Sequence, residues 1–149
     1  VRPDPDMKQS VAAMRLAVRD AGLEPDEIEV VHYHGTATQL NDSLETLAVH
    51  AAFGEHARRL AGHSVKGAIG HPQGACGLAA LCATVGALAG VDGDPAFLPP
   101  TINLREPDPA CDLDYTPNQA RAAGNRRTAL VNCLAFGAKN SALVVDIPP

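Results

Sequence analysis

The chain has 149 residues, 46% of them hydrophobic, and a formal net charge of -5 at pH 7. That length and apolar share fit one domain with a real core and exclude a disordered chain. The negative balance argues against nucleic acid and against an anionic membrane surface as partners.

The opening Val1-Arg2-Pro3-Asp4-Pro5-Asp6 is polar and proline-rich, which is not a signal-peptide pattern. Asp6 is placed to cap a helix from Met7 to Ala21, with Val11, Met14 or Leu16, and Val18 as its apolar face and Gly22 as its stop. Ile28 to His34 alternates into a buried strand, which Gly35 ends. Asp42 reads as the N-cap of a second helix, with Glu45 at a capping-box spacing. Leu44, Leu47, Ala48 and Ala51 give that helix its apolar side. A connector from Gly54 to Gly62 carries Arg58 and Arg59, and Ser64 to Lys66 reads as a short strand.

Gly70-His71-Pro72 stands before a long Ala/Gly/Leu helix, from Gln73 to Ala89. Each of Gly74, Gly77 and Gly86 costs such a helix roughly 1 kcal/mol, which tight packing against other backbone would explain. The stretch is too short and too glycine-rich to span a membrane. Residues 90–127 are proline-rich loop. Two strands follow, from Thr128 to Cys133 and from Ser141 to Ile147, joined by a turn from Phe136 to Asn140. No internal repeat or linker divides the chain. The order of elements is α/β: a mixed sheet covered by helices, with an antiparallel pair near one side.

Cys76, Cys82, Cys111 and Cys133 form no C-x-x-C pair, which fits reduced thiols in a cytoplasmic protein. Cys76 lies one turn into the long helix. A helix N-terminus favours a thiolate, so it is a weak nucleophile candidate. The plainer role for Cys76, Cys82 and Cys133 is that of small buried hydrophobes.

The chemistry centres on His34 and His71, each held at the end of a buried element. Neutral imidazoles fixed in that way stabilise negative charge that develops on a carbonyl oxygen. Lys66, five residues before His71, adds a cation and could hold the histidine loop through Glu45 or Asp42. Taken singly, a strand histidine is usually a satisfied core residue, Lys66 a solvated cation and Phe136 a core ring. The Gly70-x3-Gly74 spacing lacks the Gly-Lys-Ser/Thr of a phosphate loop. His32 and His34 share a strand face, but with His71 or a cysteine their spacing fits no standard zinc site.

Four ordered motifs carry a resemblance. His34-Gly35-Thr36-Ala37-Thr38 is followed by Asn41-Asp42 and Glu45, and Lys66 leads through Gly70-His71 to Gly77. Leu98-Pro99-Pro100-Thr101-Ile102-Asn103-Leu104 precedes Asp114-Tyr115-Thr116-Pro117, and Asn132 to Asn140 closes the set. Together they resemble the C-terminal half of the β-ketoacyl-acyl-carrier-protein synthases, of the elongating type and of polyketide ketosynthase domains.

That resemblance implies a thiolase-like fold and a decarboxylative Claisen condensation in fatty-acid or polyketide synthesis. His34 and His71 would be the catalytic histidines and Lys66 the supporting lysine. Glu45 would organise Lys66 or bound water. Phe136 would gate the acyl pocket beside Gly137, with Thr36 and Thr38 on the substrate side. No cofactor is implied, because the substrates ride on the phosphopantetheine of an acyl carrier protein. The other implied partner is an N-terminal half carrying the nucleophilic cysteine, in an enzyme that is a dimer when complete.

The departures are specific. No stretch resembles the nucleophile's Ala-Cys-Ser/Ala-Ser context, and Cys76 stands where the family has a small residue such as Ala. Asn41 replaces a usual Gly, and the closing turn is altered at Leu134-Ala135-Phe136-Gly137-Ala138-Lys139-Asn140. The half's opening strand is expected to be missing ahead of the first helix. A non-catalytic partner like a chain-length factor is one alternative, and a small zinc-binding module is another.

Overall fold

Helix α1 (Lys8–Asp20) begins after Met7, whose φ of 49° is left-handed and which makes no side-chain cap. Asp6 is therefore not the expected cap, and its carboxylate sits 3.1 Å from Lys8 Nζ. The structure is a computed structural model that describes residues 6–91, 93–135 and 139–148. Gly22 ends α1 as read. Its φ of 72° suits glycine, and the Leu23 N–H closes the turn on the Val18 carbonyl at 3.2 Å. Met14 and Val18 are buried, whereas Leu16 is 50% exposed and lies off the packed stripe.

Strand β1 (Val30–His32) is shorter than the alternating run, because only its centre is paired on both sides. Glu29 extends it by giving its N–H to the Thr128 carbonyl and accepting the Ala61 N–H, and Tyr33 by giving its N–H to the His63 carbonyl. Helix α2 (Asn41–Phe53) starts one residue before Asp42, so Asp42 is not its N-cap. Its buried side is Glu45, Ala48, Val49, Ala52 and Phe53, and Leu47 is 57% exposed. The face differs from the expected one because Glu45 finds its partners in the preceding loop and turns inward with the apolar residues.

Strand β2 (Ala61–His63) comes three residues earlier than the expected Ser64–Lys66 strand. Lys66 instead opens a one-turn helix, α3 (Lys66–Ile69). The long helix divides into a 3-10 turn at Gln73–Ala75 and helix α4 (Cys76–Ala89). A Cβ added at Gly74, Gly77 or Gly86 would meet nothing within 4 Å, so tight packing inside this chain does not explain those glycines. Within the expected loop, β3 (Phe97–Leu98) and β4 (Arg121–Ala122) form a small antiparallel pair. Strands β5 (Thr128–Ala135) and β6 (Lys139–Asp146) complete the order.

The main sheet runs β2-β1-β5-β6, with parallel pairs at β2/β1 and β1/β5 and an antiparallel pair at β5/β6. It is the mixed α/β sheet expected, with the hairpin at one edge. Alternation sends successive residues to opposite faces. Val31 and Leu130 join Met14, Val18, Val49 and Phe53 of α1 and α2 on one face. Val30 and Ala129 join Leu88 of α4 on the other. Helices on both faces leave the carboxyl ends of the parallel strands open to loops, where open α/β sheets place their ligands.

Candidate active site

The loops at the carboxyl ends of β1 and β2 meet over the sheet. His34 lies two residues beyond β1, and Ser64 to Lys66 follow β2. The two loops touch at Gly35. A Cβ there would lie 2.8 Å from both Cβ and Oγ of Ser64, at a φ of 46°, so only glycine fits without strain. Ser64 Oγ donates back to the Gly35 carbonyl at 3.3 Å.

A buried carboxylate holds the β1 loop. Glu45 is 1% exposed. Its Oε1 accepts the His34 N–H at 2.7 Å and Asn132 Nδ2 at 2.6 Å. Its Oε2 accepts the Gly35 N–H at 2.9 Å and Asn41 Nδ2 at 3.3 Å. Burial pushes the carboxyl up from its ordinary value, and the Gly35 and His34 N–H groups and Asn132 pull against that. Asp42 takes the next amide, accepting the Thr36 N–H at 3.1 Å. Both acidic residues thus serve backbone amides. Neither makes an ion pair with Lys66 among the described residues.

Lys66 reaches the histidine loop directly. Its Nζ donates to the His34 carbonyl at 2.5 Å and lies 3.4 Å from His34 Nδ1. An ammonium has no acceptor, so Nδ1 must be the acceptor and the neutral ring carries its proton on Nε2. Burial, the Lys66 cation and the His71 ring together hold His34 down at about 4. It is uncharged at neutral pH.

His71 is exposed, and its ring stands edge-on to that of His34 with centroids 5.5 Å apart. Its Nδ1 accepts the Gln73 N–H at 3.0 Å, which again leaves the proton on Nε2. Cys76, buried at the start of α4, places Sγ 3.4 Å from the same Nδ1. The thiol therefore adjoins a candidate catalytic ring.

His34, His71 and Lys66, the three residues expected to act together, are brought together. Thr36 and Thr38 share a 2.9 Å hydroxyl–hydroxyl hydrogen bond on the exposed side of the same loop. Phe136 and Gly137 lie outside the described residues. His32 does not join His34. Its ring meets that of His63, edge-on, at 4.6 Å, and its Nε2 accepts the Val65 N–H at 3.4 Å. Burial holds His32 well below the usual imidazole range and His63 at about 4, so this pair under the Lys66 loop is uncharged. Among the described residues no group of three or more potential metal ligands converges. Sequence reading missed the anchoring role of Asn132. Its signal was present, as a lone amide in the apolar strand Ala129-Leu130-Val131-Asn132-Cys133-Leu134.

These features define a class: an α/β protein that sets two imidazoles, each accepting at Nδ1, over the carboxyl ends of its strands. The family model described as Beta-ketoacyl synthase, C-terminal domain, matches residues 1–105, and the chain belongs to that family. It is 41% identical over 145 residues to the 3-oxoacyl-[acyl-carrier-protein] synthase 2 of Coxiella burnetii, covering 97% of this chain and 34% of that protein. Among solved structures, the ishigamide ketosynthase/chain length factor matches with a TM-score of 0.86 at 34% identity, over 99% of this chain and 34% of that one. A type II polyketide synthase acyl-carrier protein in complex with its ketosynthase, bound to the hexaketide, matches with a TM-score of 0.76 at 28% identity, over 99% of this chain and 34% of the matched chain. The fold is thus thiolase-like, and the chain spans about a third of the length of these relatives.

Proposed function

We propose that this chain is the charge-stabilising half of a condensing enzyme that joins acyl and malonyl thioesters borne on an acyl carrier protein. The observation that carries this reading is the pair of adjacent imidazoles, each with Nδ1 already serving as an acceptor. Neither ring's Nε2 has a partner among the described residues, which leaves it to substrate.

The chemistry follows from that. When malonyl thioester decarboxylates, its C–C bond to the carboxylate breaks and carbon dioxide leaves. The bonding pair moves into an enolate whose oxygen becomes anionic. Fixed neutral donors at that oxygen stabilise the charge without reorganising. The enolate carbon then attacks an acyl thioester, a C–C bond forms, and the acyl group's thiolate departs. His34 and His71 supply the donors. Lys66 holds His34 through its carbonyl and keeps the ring unprotonated. Glu45 fixes the loop through the His34 and Gly35 amides and does not act on Lys66. Phe136 and Gly137 form the acyl gate, with Thr36 and Thr38 on the substrate side.

The nucleophilic cysteine belongs to an N-terminal half, whether on the same polypeptide or on another. Nothing in the reaction calls for a cofactor, since the carrier's phosphopantetheine presents the substrates. The complete enzyme is a dimer and works in the cytoplasm. In support, no helix among the described residues is long and apolar enough to cross a membrane. A related subunit is the expected partner, as the matched ishigamide protein is a ketosynthase/chain length factor. The reading is tested by combining the chain with an N-terminal half and supplying acyl- and malonyl-carrier protein. A β-ketoacyl-carrier product is expected. A stable complex that makes none would favour a non-catalytic partner instead.

A further inference from the structure

The opposite end of the strands carries a second feature. A cavity of about 190 Å³ opens beside Leu60 and Ala61, at the amino end of β2 and away from His34. Four arginines line it: Arg58 and Arg59 from the 3-10 turn after α2, Arg121 from β4, and Arg126 from the loop before β5. These come from positions more than sixty residues apart in a chain whose net charge is -5. Sequence alone reads Arg58, Arg59 and Arg126 as solvated surface charges, yet the fold gathers them with Arg121 against their mutual repulsion.

Two of the four are already matched. Arg58 Nη2 donates to Asp112 Oδ2 at 2.6 Å. Arg121 Nη2 pairs with Asp114, which also lines the cavity, and with Thr116 Oγ1 at 3.0 Å. Arg59 has no hydrogen-bond or ion-pair partner among the described residues. Arg126 gives Nη1 to the Ala123 carbonyl at 3.1 Å, and its other guanidinium N–H groups have no partner among the described residues. Arg59 and Arg126, neither ion-paired among the described residues, thus line one recess with a buried apolar floor of Leu60, Ala61 and Leu98. A guanidinium's planar fork matches a tetrahedral oxyanion two oxygens at a time.

We infer that this cavity binds a phosphate dianion, free or as the terminal group of a phosphate monoester, with Arg59 and Arg126 as its principal ligands. The site is independent of the two-histidine centre. Its test is calorimetric titration of the protein with inorganic phosphate and with phenyl phosphate, against sodium chloride at matched ionic strength. Saturable binding is expected, stronger for phosphate than for chloride, and at least tenfold weaker when Arg59→Ala and Arg126→Ala are combined. Arg59 is exposed and Arg126 half-buried, and unchanged thermal unfolding of the double variant confirms that the fold is intact. Binding of inorganic phosphate alone identifies a free-ion site, and binding of both identifies one open to esters. No saturation, or equal affinity in the double variant, overturns the inference. So does binding of an acidic peptide with no response to either phosphate, which would make the arginines a protein-docking surface.

Discussion

Asn132 and Glu45 are 87 positions apart, yet Asn132 Nδ2 donates to Glu45 Oε1 at 2.6 Å in the buried interior. That one bond ties β5 to α2 under the loop that carries His34. The same oxygen accepts the His34 N–H, so a core contact and the position of a candidate catalytic ring depend on one atom.

Removing the carboxylate strands several buried donors. Glu45→Ala leaves the His34 and Gly35 amides and Asn132 Nδ2 without their acceptor, at about 1–3 kcal/mol for each that no water reaches. The expected loss is about 3 kcal/mol or more, read as the shift in a urea-unfolding midpoint. Asn132→Ala removes one donor and costs about 1–2 kcal/mol. Equal stability of wild type and Glu45→Ala would show that the loop does not rest on this carboxylate.

Gly35→Ala tests the junction of the two site loops. The new Cβ would press on Ser64 at 2.8 Å and would hold an L side chain at positive φ. A loss of about 2 kcal/mol is expected. Ser64→Gly in the same chain should recover part of it. An unaltered urea midpoint in Gly35→Ala would place the loops farther apart than described.

Lys66→Met separates the causes of the low His34 value. Burial is the largest, and the Lys66 cation comes next. Without the cation His34 should titrate above 4 but still below the ordinary 6.5. NMR titration of the His34 ring protons measures this. A value that stays at about 4 would show that the ammonium does not face the ring.

The buried imidazoles also set a pH dependence. His34 and His63 each titrate at about 4 in the folded state and His32 well below its usual range, against an ordinary 6.5. The folded chain therefore binds fewer protons than the unfolded chain as pH falls from 6.5 toward 4. Stability is lost across that window. Glu45, raised when folded, acts in the other direction and loses its contribution as pH rises through its folded value. With three histidines set against one carboxylate, a net fall of about 2 kcal/mol is expected, after allowance for solvent screening at His34. Thermal unfolding from pH 6.5 to pH 4.5 reads it. His63→Phe should flatten the curve, and a curve that is flat in the wild type would contradict the charge assignment.

Much of this was legible in the chain. Periodicity and glycine stops placed α1, α2 and the α4 region, and the motifs gathered His34, Lys66 and His71 from two separate segments. Long-range pairing was not legible. Ser64-Val65-Lys66 looks like a strand by composition, but register puts Ala61–His63 beside β1 and frees Lys66 to start a turn. The face of α2 was misread because a buried Glu45 counts as polar until its four donors are known. The same limit hid the His32–His63 pair, since neighbouring strands decide which rings meet.

The most direct test of the two-histidine reading is decarboxylation of malonyl-carrier protein by the chain joined to an N-terminal half, with His34→Ala and His71→Ala compared. Each substitution removes one donor from the enolate oxygen. A loss of about 10²–10³ in turnover is expected for each, with folding intact. Wild-type turnover in either variant would remove that histidine from the chemistry and contradict the account.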